Sequence, residues 1–330
     1  MQGAGVFEYL GGIYSGNFEK NIRDGPEGKM RFTNGSVYQG DWKNGKPHGQ
    51  GTLKDLNGNV FTGKWEEGYR YGSGTLNYFN GDTYNGSFKK DNLVNEGSLV
   101  LANKTTYVGS FQKGLFNGEG TLTTRAGTFF GDFVDGVKQG RGVLKQNIHE
   151  PVVYEGTWKS GYLHGFGKLE DSLGKYEGDW EKGLKKGKGK MTYKDGSTYD
   201  GYWLEDKRHG MGDYECPKGY VVGYHGEWSR DKKNGKGKMR LSNGNTYDGG
   251  MVDDLPQGHG VYTCKSPKGN TLMVVEGKWV RGVNEGKCNV TLFLKEGGSS
   301  TSFTYDPEDP DYADFALPAF FPPVSWQDGE

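Results

Sequence analysis

The 330-residue chain has little cysteine, little aliphatic bulk and no long apolar run, and each shortage removes a class of protein. Cys216, Cys264 and Cys288 are odd in number and contain no C-x-x-C pair, so neither a disulfide framework nor a zinc ribbon is indicated. Reduced thiols in a reducing compartment are expected. The longest apolar stretch, Phe315 to Val324, is short and holds Pro318, Pro322 and Pro323, which argues against a membrane-spanning helix. No signal peptide or lipidation motif is visible, and the sequons at Asn34, Asn85, Asn103 and Asn289 read as by-products of turn chemistry. Net charge is only -1, which gives the whole chain no attraction for nucleic acid. Leu, Ile, Val and Phe together number 62, few enough to suggest disorder were it not for 46 aromatic residues. A soluble intracellular protein with a core of aromatic rings is expected.

What the chain has in excess is glycine. There are 59, spaced so that no Gly-free stretch before residue 298 exceeds the 13 residues from Val143 to Glu155. An interior glycine costs a helix about 1 kcal/mol, so the prediction is all-β. The glycines are also periodic. Segments of the form Y-x-G-x-W, or close variants, begin at Tyr14, Tyr38, Phe61, Tyr84, Tyr107, Phe129, Tyr154, Tyr176, Tyr199, Tyr224, Tyr247 and Val275, twelve units at steps of 22 to 28 residues. Counting the first residue as position 0, position 2 is Gly in every unit, and position 4 takes Trp42, Trp65, Trp158, Trp180, Trp203, Trp228 and Trp279. Positions 0, 2 and 4 of a strand share one face, so the bare glycine offers room for a ring from a neighbouring unit. Position 7 is Gly, Asn or Asp, the residues that tolerate positive φ, and marks a turn. A second strand opens G-x-G, and the unit closes on pairs such as Asn57-Gly58 or Asp195-Gly196, a strong hairpin signal.

A lone hairpin of this kind is not stable in water, so the units must stack. The predicted fold is an extended single-sheet antiparallel meander of about twelve hairpins, a solenoid-like rod on the order of 115 Å long at ~4.8 Å per strand. Residues 1–13, with Gly3, Gly5, Val6 and Phe7, read as a truncated capping unit, residues 14–298 as the repeats, and residues 299–330 as an acidic tail rich in Pro and aromatics.

The run Y-x-G-x-W-x-x-G-x-x-H-G-x-G with a closing N-G resembles the MORN (membrane occupation and recognition nexus) repeat over about residues 14 to 298. Departures are local: Asn95 and Cys288 stand where glycines belong, and Val275 replaces an aromatic. The family resemblance includes enzymes that carry such repeats beside a separate catalytic domain, but the residues flanking the repeats are too few for one. His48, His164 and His209 occupy the same position of three different units, and the Gly-rich runs lack a following helix to hold phosphate, so no enzyme, metal or cofactor is expected. Long all-MORN chains resemble cytoskeletal proteins, including ciliary radial-spoke components. The resemblance therefore implies a protein-binding scaffold in the cytoskeleton, with a lipid tether as the rival.

Three candidate contact regions follow. The seven tryptophans named above form a candidate aromatic face. Lys182, Lys185, Lys186, Lys188 and Lys190, with Lys232, Lys233, Lys236 and Lys238, form two basic clusters suited to an acidic protein or anionic lipid. In the tail, Phe315, Leu317, Phe320, Phe321 and Trp326 follow a run of acids and are candidates for docking on an aromatic surface. The open sheet edges also suggest self-association.

Overall fold

The computed structural model describes residues 2–147, 152–293, 300–309 and 311. It contains 27 strands and no α-helix among the described residues, so the chain is all-β. Two compact units are present, Met1–Tyr162 and Leu163–Glu330. In the first, β1 (Gly3–Tyr9) pairs with β2 (Gly12–Glu19), and the meander continues strand by strand in chain order to Val152–Lys159, antiparallel throughout. The second follows the same rule from the strand ending at Glu170 to Ser300–Tyr305.

Glycine sets the register. Gly40 faces Gly51, Gly51 faces Gly63, Gly63 faces Gly74 and Gly74 faces Gly86, and a matching row runs through Gly178, Gly189, Gly201 and Gly212 in the second unit. The expected ring from a neighbouring unit is present at Gly28, where a Cβ would lie 2.5 Å from Trp42, but at most of these glycines the nearest ring comes from the same hairpin: a Cβ on Gly51 would lie 2.2 Å from the Oη of Tyr38, and one on Gly189 would lie 2.2 Å from that of Tyr176. The ring folds along its own strand with or without a hydroxyl, since Phe61 and Phe129 lie over Gly74 and Gly142 in the same way. Where it is tyrosine the hydroxyl donates to the carbonyl three residues on, as Tyr38 does to Asp41 at 3.0 Å and Tyr199 to Tyr202 at 2.9 Å.

The turn after position 4 uses two residues with positive φ rather than one. Glu67 and Gly68 have φ of 53° and 87°, and Glu205 and Asp206 have 51° and 66°, the requirement of a type I′ turn. Position 11 is also left-handed, with φ of 63° at Gly49 and 58° at Gly72. The fourth unit meets this with Asn95 at 54°, asparagine being the side chain that best tolerates the region. The other departure is paired: Val275 brings no ring, and the space is taken by the buried Cys288 on the facing strand.

The strand Ser300–Tyr305 pairs with Val283–Phe293, so the meander runs on into the segment that composition assigns to the tail, and Lys287 Nζ meets Asp306 Oδ2 at 3.0 Å. Phe315, Leu317, Phe320, Phe321 and Trp326 lie outside the described residues. No helix of the described residues is long and apolar enough to cross a membrane.

Candidate functional site

The seven tryptophans are core, with exposures of 0 to 5%. In most units the first ring meets its own position-4 ring edge to face and also the position-4 ring of the next unit, the series being interrupted at Met251 and Val275. Tyr38 lies 5.3 Å from Trp42 and 5.2 Å from Trp65, and Tyr199 lies 5.2 Å from Trp203 and 5.4 Å from Trp228. Indole N–H groups donate to the glycine carbonyls of the preceding hairpin, Trp65 to Gly51 at 3.1 Å and Trp203 to Gly189 at 2.9 Å. These rings therefore offer a partner no open aromatic face, since they are buried inside the sheet's own layer and six of the seven indole N–H groups donate to glycine carbonyls there.

That layer is closed by a residue the sequence reading did not single out, at position 9. The guanidinium of Arg23 sits 4.4 Å from the Trp42 ring centre and that of Arg208 4.4 Å from Trp228, while Phe116 stacks on Tyr107 at 3.7 Å. Lys138 lies 4.7 Å over Phe129, and Lys185 lies about equally over Tyr176 and Trp203, at 5.0 and 5.1 Å. Burial pushes the ammonium groups of Lys138 and Lys185 below the ordinary lysine range. The shared position was concealed because it is filled by Arg, Pro, Leu, Phe, Lys and Asn in different units. Its clearest sign lies one unit downstream. Where the lid is a cation, position 7 of the next unit is often Asp: Arg70 bonds Asp91 at 2.9 Å, Arg208 bonds Asp231 at 3.3 Å and Lys233 approaches Asp254 at 3.6 Å.

The basic clusters are accordingly divided. Lys185 and Lys233 belong to the lid, Lys233 being only 3% exposed. Lys186 pairs with Glu181, Lys232 with Asp253 at 3.3 Å and Lys238 with Asp248 at 3.7 Å. Lys182, Lys188, Lys190 and Lys236 are exposed and make no salt bridge among the described residues, and Lys190 faces Glu177 and Asp200 across its two neighbouring strands.

No described residue covers the opposite face of the sheet, and its chemistry differs between the units. In the second, ion pairs such as Lys168–Glu177 cross from strand to strand. In the first, the equivalent row is uncharged between Lys29 and Glu155: Gln39, Thr52, Thr62, Thr75, Asn85 and Ser98 lead on to Val108, Thr121, Phe130 and Val143. Val108 is 55% and Phe130 50% exposed. A cleft of about 430 Å³ opens beside Phe130 and Val143, walled by Glu119, Asp132, Arg141 and Glu155. Asp132 is used to accept the Arg141 backbone N–H at 2.9 Å, whereas Glu119 and Glu155 are exposed and make no salt bridge among the described residues. No group of His, Cys, Asp or Glu able to hold a metal occurs among the described residues, and His48, His164 and His209 sit in three separate hairpins.

No curated protein sequence matches the chain. Among solved structures, a virginiamycin B lyase from Staphylococcus aureus aligns over 86% of this chain and 85% of its own, at 9% identity and a TM-score of 0.12. A family model described as MORN repeat matches ten segments, residues 14–37, 38–60, 61–83, 107–128, 129–146, 154–172, 176–198, 199–219, 224–246 and 247–266. The units at Tyr84 and Val275, which carry Asn95 and Cys288, fall outside those matches yet form hairpins with the same register. With the repeat matched over most of its length, the chain belongs to the MORN-repeat family.

Proposed function

We propose that this protein is a non-catalytic scaffold that binds other proteins through the open face of its sheet. One observation carries the reading: the aromatic face is consumed by the core, while the other face of the first unit presents an uncharged row that ends in the exposed Val108 and Phe130 beside a cleft. A surface of exposed apolar side chains rimmed by charge suits a protein partner better than a headgroup layer. The setting we favour is a cytoskeletal assembly, such as a ciliary axoneme with its radial spokes, because long chains made only of these repeats resemble proteins of that kind.

The test compares proteins that co-purify from ciliated cells, at physiological salt, with the tagged full-length chain and with a Phe130→Asp, Val143→Asp variant. Tubulin, dynein or spoke proteins with the first and not the second would support the scaffold. Identical protein lists would remove the outer face from the argument, and lists without cytoskeletal proteins would remove the setting. A second reading, a tether to anionic phospholipid, is favoured by the exposed Lys182, Lys188, Lys190 and Lys236, which make no salt bridge among the described residues. It requires sedimentation with phosphatidylserine vesicles that falls steeply with salt and is lost on Lys188→Glu, Lys190→Glu.

A further inference from the structure

The strand β1 occupies the place of a second strand in the repeat. Gly5 faces Gly16 and Phe7 faces Tyr14, as Gly51 faces Gly63 and Leu53 faces Phe61 one unit on. Its other edge has no paired strand among the described residues. The result is visible in exposure: Leu76 and Met191, in the position equivalent to Phe7, are 5% and 1% exposed, whereas Phe7 is 46% and Val6 71% exposed. A Cβ on Gly3 would meet nothing within 4 Å. Natural sheet edges are commonly guarded by lysine, proline or a bulge, and this seven-residue strand, GAGVFEY, has none of them.

The strand is complementary to itself. In the antiparallel register that pairs all seven residues, Val6 lies opposite the partner's Val6, Phe7 opposite the partner's Gly5, and Glu8 opposite the partner's Ala4. Each phenyl ring then meets a bare glycine across the strand boundary, as Tyr38 meets Gly51 within the repeat, and the two carboxylates are not opposed. We propose that β1 is a self-association edge that pairs with β1 of a second copy across a two-fold axis at Val6, joining two meanders into one sheet. The interface is isologous, so it closes at two copies.

The experiment is sedimentation equilibrium of the full-length chain, with two sets of variants. A monomer–dimer equilibrium is expected, and Val6→Lys, at a position that the single copy leaves exposed, should weaken it about tenfold or more while the circular dichroism spectrum is unchanged. For register, Val6→Cys should be trapped as a disulfide-linked dimer on mild oxidation and Glu8→Cys should not, with the unmodified chain as the control for Cys216, Cys264 and Cys288. A chain that stays monomeric at all concentrations overturns the proposal. So does a Val6→Lys variant that dimerises as before, and cross-linking of Glu8→Cys in preference to Val6→Cys overturns the register.

Discussion

The most direct test of the fold's logic is Gly51→Ala. The added Cβ would stand 2.2 Å from Tyr38 Oη and 2.6 Å from its Cζ. The ring has nowhere to go, since Trp42 and Trp65 hold it edge to face at 5.3 and 5.2 Å and its hydroxyl is bonded to the Asp41 carbonyl. Overpacking of this kind costs ~1–3 kcal/mol, loss of the hydroxyl bond about 1 and loosening of a ring pair about 1. Restricting the unfolded chain returns about 0.4–1 kcal/mol. The net expectation is a loss of roughly 3 kcal/mol. It should be read by urea denaturation with tryptophan fluorescence, together with hydrogen exchange in the strands Val37–Lys43 and Lys46–Lys54, because repeat arrays can open locally. In a Tyr38→Leu background, where the phenol no longer lies over the glycine and only the Trp65 indole remains beside it, the same substitution should cost much less. A change within ~0.5 kcal/mol of wild type, or an equal loss in both backgrounds, would refute the reasoning.

Arg208→Ala should cost about 2 kcal/mol and shift tryptophan emission to longer wavelength, because it uncovers Trp228 and removes the ion pair with Asp231, which keeps only the backbone N–H of residue 208, with Arg208→Lys intermediate. Lys113→Asn should stabilise by about 1 kcal/mol in the same denaturation assay, since Lys113 holds a φ of 51° in a type I′ turn and is followed by Gly114. Alkaline stability should fall in a defined window. Burial raises the phenols of Tyr84 and Tyr107 to about 12 and pushes Tyr38 and Tyr176 up as well. The unfolded chain loses these protons near pH 10, so the stabilisation is complete below about pH 10 and is lost as pH rises towards 12. Phenolate absorbance of the core tyrosines should therefore appear together with loss of structure, and ionisation at pH 11 in a folded chain would contradict this.

The repeat was legible because its strictest residues answer to backbone geometry. Position 2 is glycine wherever strands carrying a folded-back ring approach closely, and the period can be read from that alone. The lid was not legible, because covering a ring can be done by a guanidinium, an ammonium, a phenyl group or a proline, so no single residue type marks position 9. Lys185 and Lys233 illustrate the cost of this. In sequence they sit among surface lysines, and only the ring beneath each one separates it from Lys186 or Lys236. The first residue of the turn was concealed for a different reason: Glu67, Lys113 and Glu205 adopt positive φ without being residues that favour it, held there by the strands on either side. The tryptophans were correctly found as a row, but pattern alone does not distinguish a row that is offered from one that is consumed.

The pairing of a lid with the aspartate of the following unit has a consequence for how such an array changes by gain or loss of repeats. The backbone N–H of Lys185 donates to Asp206, that of Arg208 to Asp231 and that of Lys233 to Asp254, three successive junctions of one kind. Excision of residues 199–223 would bring Lys185 against Asp231, and the new junction would match. Excision of residues 84–106 would bring Arg70 against Gly114 in place of Asp91, leaving the guanidinium without its carboxylate. The units at Tyr199 and Tyr224 are thus interchangeable parts, and a recombination event there can alter the length of the chain without a chemical scar, while the unit at Tyr84 is locked to its upstream neighbour.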